Sequence, residues 1–149
     1  MKRTDMGPGI RPFRETDREG VIRLWERCGL VAPQNDPAGD IDMKMAFQPD
    51  LFLVGVAEGR VVSSAMAGYE GHRGWINYLA VDPDHRRRGF GRAMMEEAER
   101  RLAALGCVKV NLQVRSGNRQ VVGFYDAVGY AEEDRVSMGK RLRGQVRPE

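Results

Sequence analysis

A mixed α+β fold, with a central, mostly antiparallel sheet flanked by helices, is what this 149-residue sequence predicts. Three observations carry the expectation. Strand-like runs follow one another from Leu51 to Val81 with no helix between them, which makes neighbouring strands antiparallel. A helical pattern from Phe90 to Leu105 separates the last of these runs, Trp75–Val81, from one more, Val108–Val114, which makes that pair parallel with a right-handed crossover. Two helical patterns precede the strands, so the order reads β α α β β β α β α β.

Ile10 to Arg14 reads as a short first strand behind a loose tail, residues 1–9. Thr16 and Glu19 have capping-box spacing. Val21, Leu24, Trp25 and Cys28 then fall at i, i+3, i+4 and i+7 on one helix face, and Gly29 ends it. Asp36 before Pro37 gives a cap and a first-turn proline to a second helix running to Phe47. Leu51–Glu58 and Val61–Tyr69 are strands joined through Gly59, and the loop Gly71-His72-Arg73-Gly74 leads to Trp75–Val81. The next helix carries Phe90, Met94, Ala98, Leu102 and Leu105 on its apolar face and stops at Gly106. Val108, Val110, Leu112 and Val114 alternate along a strand. Gln120 to Val128 is a short helix closed by Gly129, and Val136–Leu142 reads as a last strand. One domain over residues 10–143 is expected, with residues 144–149 a second loose end.

Composition narrows the function classes. No apolar run approaches the roughly 20 residues that span a bilayer; the longest, Leu51–Ala57, is strand length. The first nine residues hold no apolar signal core, so a cytoplasmic protein without membrane contact is expected. Cys28 and Cys107 have no ligand spacing and read as small buried hydrophobes with reduced thiols. His72 and His85 are too isolated for zinc, and no metal is expected. A net charge of +3 is mild, and acidic residues interleave the basic ones, which argues against a nucleic-acid partner. The dense basic cluster is Arg86 to Arg92, in which Phe90 could stack a base, but no nucleic-acid module accompanies it.

That cluster, Arg86-Arg87-Arg88-Gly89-Phe90-Gly91-Arg92-Ala93, lies between a strand and a helix. A loop entering a helix in this way offers unpaired N–H groups at the positive end of the helix dipole, and glycines allow an anion to approach the backbone. Arginines add charge that pairs with phosphate oxygens. A P-loop would need Lys and Ser or Thr where Arg92 and Ala93 stand. A dinucleotide fingerprint would need a small residue at Met94 and an acid near Asn111–Gln113. What remains is Arg-x-x-Gly-x-Gly after Leu79-Ala80-Val81-Asp82-Pro83, which resembles the acetyl-CoA site of the GNAT superfamily of N-acetyltransferases. The predicted element order matches that fold along nearly the whole chain. Leu24-Trp25-Glu26-Arg27-Cys28, Asn35-Asp36-Pro37, Phe52-Leu53-Val54 and Gly71-His72-Arg73-Gly74 are similar to the uncharacterised YpeA-type bacterial acetyltransferases.

The resemblance implies acetyl-CoA as cosubstrate and a primary amine, on a small molecule or a peptide, as acceptor. The diphosphate falls to the turn from Arg86 to Ala93, including Arg87, Arg88, Gly89, Phe90, Gly91 and Arg92. The amide-bearing arm falls to the backbone of Leu79, Ala80 and Val81, splayed from the following parallel strand. Asn118, Tyr125, Gly129 and Tyr130 resemble the family's end motif, with Asn118 on the arm and Tyr125 as general acid to the leaving thiolate. The base is harder to place. Related ribosomal-protein N-terminal acetyltransferases read Leu-Glu-Val-Arg where this chain has Leu112-Gln113-Val114-Arg115, and an amide takes no proton. Glu70 is then the candidate base, with His72 beside it or a water chain in its place. Trp25, Asn35, Asp36 and Tyr78 could line the acceptor's entrance. The alternative is a non-catalytic acyl-CoA sensor that keeps the turn and needs no acid. Neither acceptor identity nor oligomeric state follows from the sequence, which leaves room for a homodimer.

Overall fold

Leu51–Ala57 and Val61–Tyr69 carry apolar or small residues at nearly every position, and a strand of that kind must be covered on both faces. The computed structural model of the chain, which describes residues 9–142, shows that cover. The elements are β1 (Gly9–Pro12), α1 (Arg18–Arg27), α2 (Pro37–Met45), β2 (Phe52–Ala57), β3 (Arg60–Tyr69), β4 (Gly74–Val81), α3 (Phe90–Ala104), β5 (Val110–Leu112) and α4 (Arg119–Ala127). The chain divides after Gln113 into two compact units.

The first unit holds one sheet in the order β1-β2-β3-β4-β5. Its first three pairings are antiparallel and the last, β4 with β5, is parallel. This is the mixed, mostly antiparallel sheet expected. Val21, Leu24 and Trp25 of α1 and Ile41 of α2 bury against Phe13, Phe52, Val54, Met66 and Ala80. Phe90, Met94, Met95, Ala98 and Leu102 are the buried stripe of α3, which packs on β2, β3 and β4. Burying each large apolar side chain is worth roughly 1.5–3 kcal/mol, several times any helix propensity term, so the buried stripes hold these helices in place.

An irregularity in β4 matters most for function. Met66 pairs with Asn77 and Ser64 with Ala80, so Tyr78 and Leu79 together stand opposite Ala65. This is a β-bulge, and Tyr78 occupies it at φ +55°, in the left-handed region. Three partners hold it there. The Tyr78 ring stacks on Trp25 with centroids 3.8 Å apart, Ser64 Oγ donates to the Tyr78 carbonyl at 2.8 Å, and the Tyr78 hydroxyl donates to Asp40 Oδ2 at 2.7 Å. Trp25 is fixed in turn by its Nε1–H, which donates to Ser64 Oγ at 2.9 Å.

Some expectations are corrected. The strand expected over Val108–Val114 is only Val110–Leu112, because its partner β4 pairs with it from Gly74 to Ile76 and then departs; Val108 is 86% exposed. Among the described residues no strand forms over 136–142: Val136, Met138 and Leu142 are exposed, Gly139 and Lys140 interrupt the alternation, and no neighbour supplies a ladder. Gly9, expected in the tail, begins β1, whereas the rest of both loose ends lies outside the described residues. The turn into α1 is closed by Asp17 rather than by the Thr16–Glu19 pair. Its carboxylate accepts the Arg14 N–H at 2.8 Å and two hydrogen bonds from Arg11, at 2.8 and 2.9 Å. Leu105 lies past the end of α3, half exposed, and Cys28 and Cys107 are only partly buried. The cap on α2 is as expected, with Asp36 Oδ1 accepting the Gly39 N–H at 3.0 Å.

In the second unit Asn118 caps α4, its side-chain oxygen accepting the Val121 N–H at 3.3 Å. Tyr125 sits edge-on to Phe124 and Tyr130, at centroid distances of 5.1 and 5.8 Å.

Candidate active site

Below the bulge, β4 has lost its parallel neighbour. β5 pairs with Gly74, Trp75 and Ile76, and no described strand pairs that side of β4 from Asn77 to Val81. The other side stays fixed to β3, through Ser64–Ala80 and Ser63–Val81 pairing and the Asp82 N–H donating to the Val62 carbonyl at 2.8 Å. Leu79, Ala80 and Val81 therefore present a backbone edge that no described strand pairs, held from behind by β3. The Val81 carbonyl already accepts from the Cys28 thiol and from Arg86 Nε, each at 3.3 Å.

The chain leaves that edge through a buried polar knot. Asp82 is 4% exposed and His85 5%. His85 Nδ1–H donates to Asp82 Oδ2 at 2.7 Å, and Arg27 Nε reaches Asp82 Oδ1 at 3.0 Å. Burial pushes the Asp82 carboxyl up, but the His85 hydrogen bond and the Arg27 charge outweigh it and hold it below the usual carboxylate range. Arg27 also pairs with Asp84, and the His85 ring stacks on Phe90, the first residue of α3. Sequence reasoning missed this knot. Its signals, a lone Asp before Pro83 and a lone His, carry no meaning until the fold brings Arg27 to them.

Arg86 to Ala93 follow as a turn into α3. Arg87 and Gly89 both take left-handed φ, +67° and +80°, which folds the backbone back on itself. Gly89 is the N-cap, so no side chain caps α3 and no acid lies in its first turn. Arg86, Arg87, Arg88 and Arg92 are exposed, and among the described residues Arg87 and Arg88 have no carboxylate partner. Arg86 instead folds over the strand end, with Nη2 3.8 Å from Cys28 Sγ. Burial, the largest influence on the Cys28 thiol, pushes it up, so the sulfur stays protonated despite that guanidinium.

Glu70 stands in the β3–β4 loop. Its two carboxylate oxygens accept the His72 and Arg73 N–H groups at 2.9 and 3.1 Å, so it closes its own loop. Gln113 is exposed beyond β5. In the second unit, burial pushes the Tyr125 phenol up to about 12, which keeps its proton in place at neutral pH. Among the described residues nothing accepts that O–H. No group of three or more His, Cys, Asp or Glu able to hold a metal ion occurs among the described residues, and no described helix is long and apolar enough to cross a membrane.

Comparison with known proteins gives the same reading of the chain. Residues 18–130 match the sequence model of the Acetyltransferase (GNAT) family. A Pectobacterium atrosepticum protein named acetyltransferase is 49% identical over 133 residues, covering 89% of this chain and 94% of its own. The crystal structure of Ard1 from Thermoplasma volcanium superposes with a TM-score of 0.76 at 27% identity, over 85% of this chain and 84% of that one. Naa20 from Chaetomium thermophilum, solved in complex with a bisubstrate analogue, gives a TM-score of 0.68 at 25% identity, over 83% of this chain and 70% of that one.

Proposed function

Because the chain belongs to the GNAT family of acetyltransferases, we propose that it moves the acetyl group of acetyl-CoA directly to a primary amine. The observation that carries the reading is the β4 edge, unpaired from Asn77 to Val81, that runs into an arginine turn and an uncapped helix N-terminus. The arm's amides satisfy the strand edge, and the diphosphate meets the first N–H groups of α3 with Arg87 and Arg88 beside it. The fit is steric as well as electrostatic. Space around Gly89 is open, with nothing within 4 Å of where a Cβ would stand.

The chemistry then asks little of the chain. The amine nitrogen forms a bond to the thioester carbon, the carbon–sulfur bond breaks, and the electron pair leaves on sulfur. We assign Tyr125 to donate its O–H to that sulfur; a phenol that burial keeps protonated is suited to the task. Asn118 spends its side-chain oxygen on capping α4 and has its NH2 left to donate to the arm. Glu70 we leave to its loop, so the amine's surplus proton passes to water. The relatives' names favour an enzyme over a sensor. A cytoplasmic setting, where acetyl-CoA and reduced thiols coexist, suits the two free cysteines.

The test is calorimetric titration with CoA, on wild type and on Gly91→Trp, whose indole would fill the space the diphosphate needs. A tenfold or greater loss of affinity, about 1.4 kcal/mol, is expected in a variant that still melts like wild type. Equal affinity in the folded variant would remove the cradle from the turn.

A further inference from the structure

The amine side of the reaction has a carboxylate that the sequence did not single out. On the reading above, an arm anchored at Arg86–Arg92 runs back along Val81, Ala80 and Leu79. Three residues of strand span about 10 Å, which brings the arm's reactive end to the bulge at Tyr78. There the Tyr78 side chain crosses to α2 and donates to Asp40 Oδ2 at 2.7 Å. The other carboxylate oxygen, Oδ1, has no partner among the described residues.

No cation on the described residues neutralises Asp40. Arg18 is committed to Glu15, Asp42 and the Ala38 carbonyl. Lys44 donates to the Ala67 carbonyl. Asp36, one helical turn before Asp40, adds a second negative charge near the Tyr78 hydroxyl while its own Oδ1 caps the helix. A half-buried carboxylate that is oriented by a phenol and lacks a counter-ion is arranged to receive one.

We propose that Asp40, oriented by Tyr78, receives the acceptor's amine as its ammonium form, which gives one proton to water before the freed lone pair attacks, and so selects cationic primary amines. The inference rests on the acetyl-CoA reading of the β4 edge, and the experiment separates the two. Tyr78 acts through Asp40 and is a positioning residue; Asp40 is the one that touches the acceptor.

The experiment compares wild type with Asp40→Asn, Asp40→Glu and Tyr78→Phe. The acceptors are a free N-terminal tetrapeptide, lysine amide, spermidine and neamine. Release of CoA thiol gives KM for the amine and kcat, and calorimetry gives CoA affinity independently. In D40N the amine KM should rise at least tenfold while CoA affinity stays within twofold. D40E should recover part of the loss, which a merely structural role for Asp40 would not allow. Y78F keeps the ring on Trp25 and should raise the amine KM in the same direction by less. An amine KM in D40N within twofold of wild type overturns the proposal and leaves the acetyl-CoA reading intact. So does a wild type that binds CoA yet acetylates none of the four amines. A wild type that does not bind CoA brings down both.

Discussion

Removing the Asp82 carboxylate tests whether the knot between Asp82, His85 and Arg27 holds the turn from Arg86 to Ala93. In Asp82→Ala, His85 loses the acceptor for a buried Nδ1–H, which costs about 1–3 kcal/mol. Arg27 is 42% exposed and rehydrates, so its share is held to at most about 1 kcal/mol. The total, about 1–4 kcal/mol, corresponds to a fall in Tm of about 2–16 °C for a chain of this length. Asp82→Asn keeps one acceptor oxygen but turns an NH2 towards a donor, so it should fall between wild type and D82A. The assay is calorimetric melting at neutral pH, with CoA titration of each variant below its transition. Affinity should weaken as well, because His85 stacks on Phe90 where α3 begins. A D82A protein that melts and binds CoA as wild type does would show that the turn is held by Gly89, Phe90 and the α3 core alone, and the reasoning here would fail.

Two further outcomes follow from the same geometry. Tyr125→Phe keeps the ring between Phe124 and Tyr130 and loses only the O–H, so CoA binding should stay unchanged while kcat falls about 10²-fold. Raising acetyl-CoA should not restore the rate, and a variant with near wild-type turnover would strip Tyr125 of the acid role. Stability should also fall in acid. Asp17, Asp82 and Glu97 are all held below the usual carboxylate range. Their contribution is complete above the unfolded values, about pH 4, and is lost as pH drops through the lower folded values, where the native state must take up protons. Urea midpoints that stay level from pH 6 down to pH 3 would contradict this.

What the sequence made legible was whatever repeats along the chain. The sheet order follows from consecutive apolar runs and one crossover helix, and the turn from Arg86 to Ala93 is local and contiguous. Ends of elements were less legible where the limit lies in a partner rather than in the residues. Val108 and Val114 alternate as well as Val110 and Leu112 do, yet β5 is short because β4 leaves it after Ile76. Val136–Leu142 has the alternation, yet no strand forms there among the described residues. Contacts distant in sequence were not legible at all: Arg27 with Asp82, and Asp40 with Tyr78 across 38 residues, arise only when α1 and α2 are laid on the sheet. Glu70 is the opposite case: its carboxylate accepts two N–H groups two and three residues away, contacts that are local in the sequence.

The bulge links this fold to its chemistry. Holding a tyrosine in the left-handed region costs about 1–3 kcal/mol, and a sheet that only needed to be stable would lack it. At Tyr78 the stack on Trp25 offsets roughly 0.5–1.5 kcal/mol. The hydrogen bond from Ser64 supplies about as much again, and the bond to the Asp40 carboxylate about 1.5–3 kcal/mol. The side-chain contacts thus match or exceed the backbone strain. The same displacement does two things that no straight strand could do together. It parts β4 from β5, so that no described strand pairs Leu79 to Val81 on that side. It also carries the Tyr78 hydroxyl across to α2, where a carboxylate with no counter-ion among the described residues stands beside the end of that edge. On the proposed reading, donor slot and acceptor carboxylate are consequences of one backbone irregularity, and a substitution that straightened β4 would remove both at once.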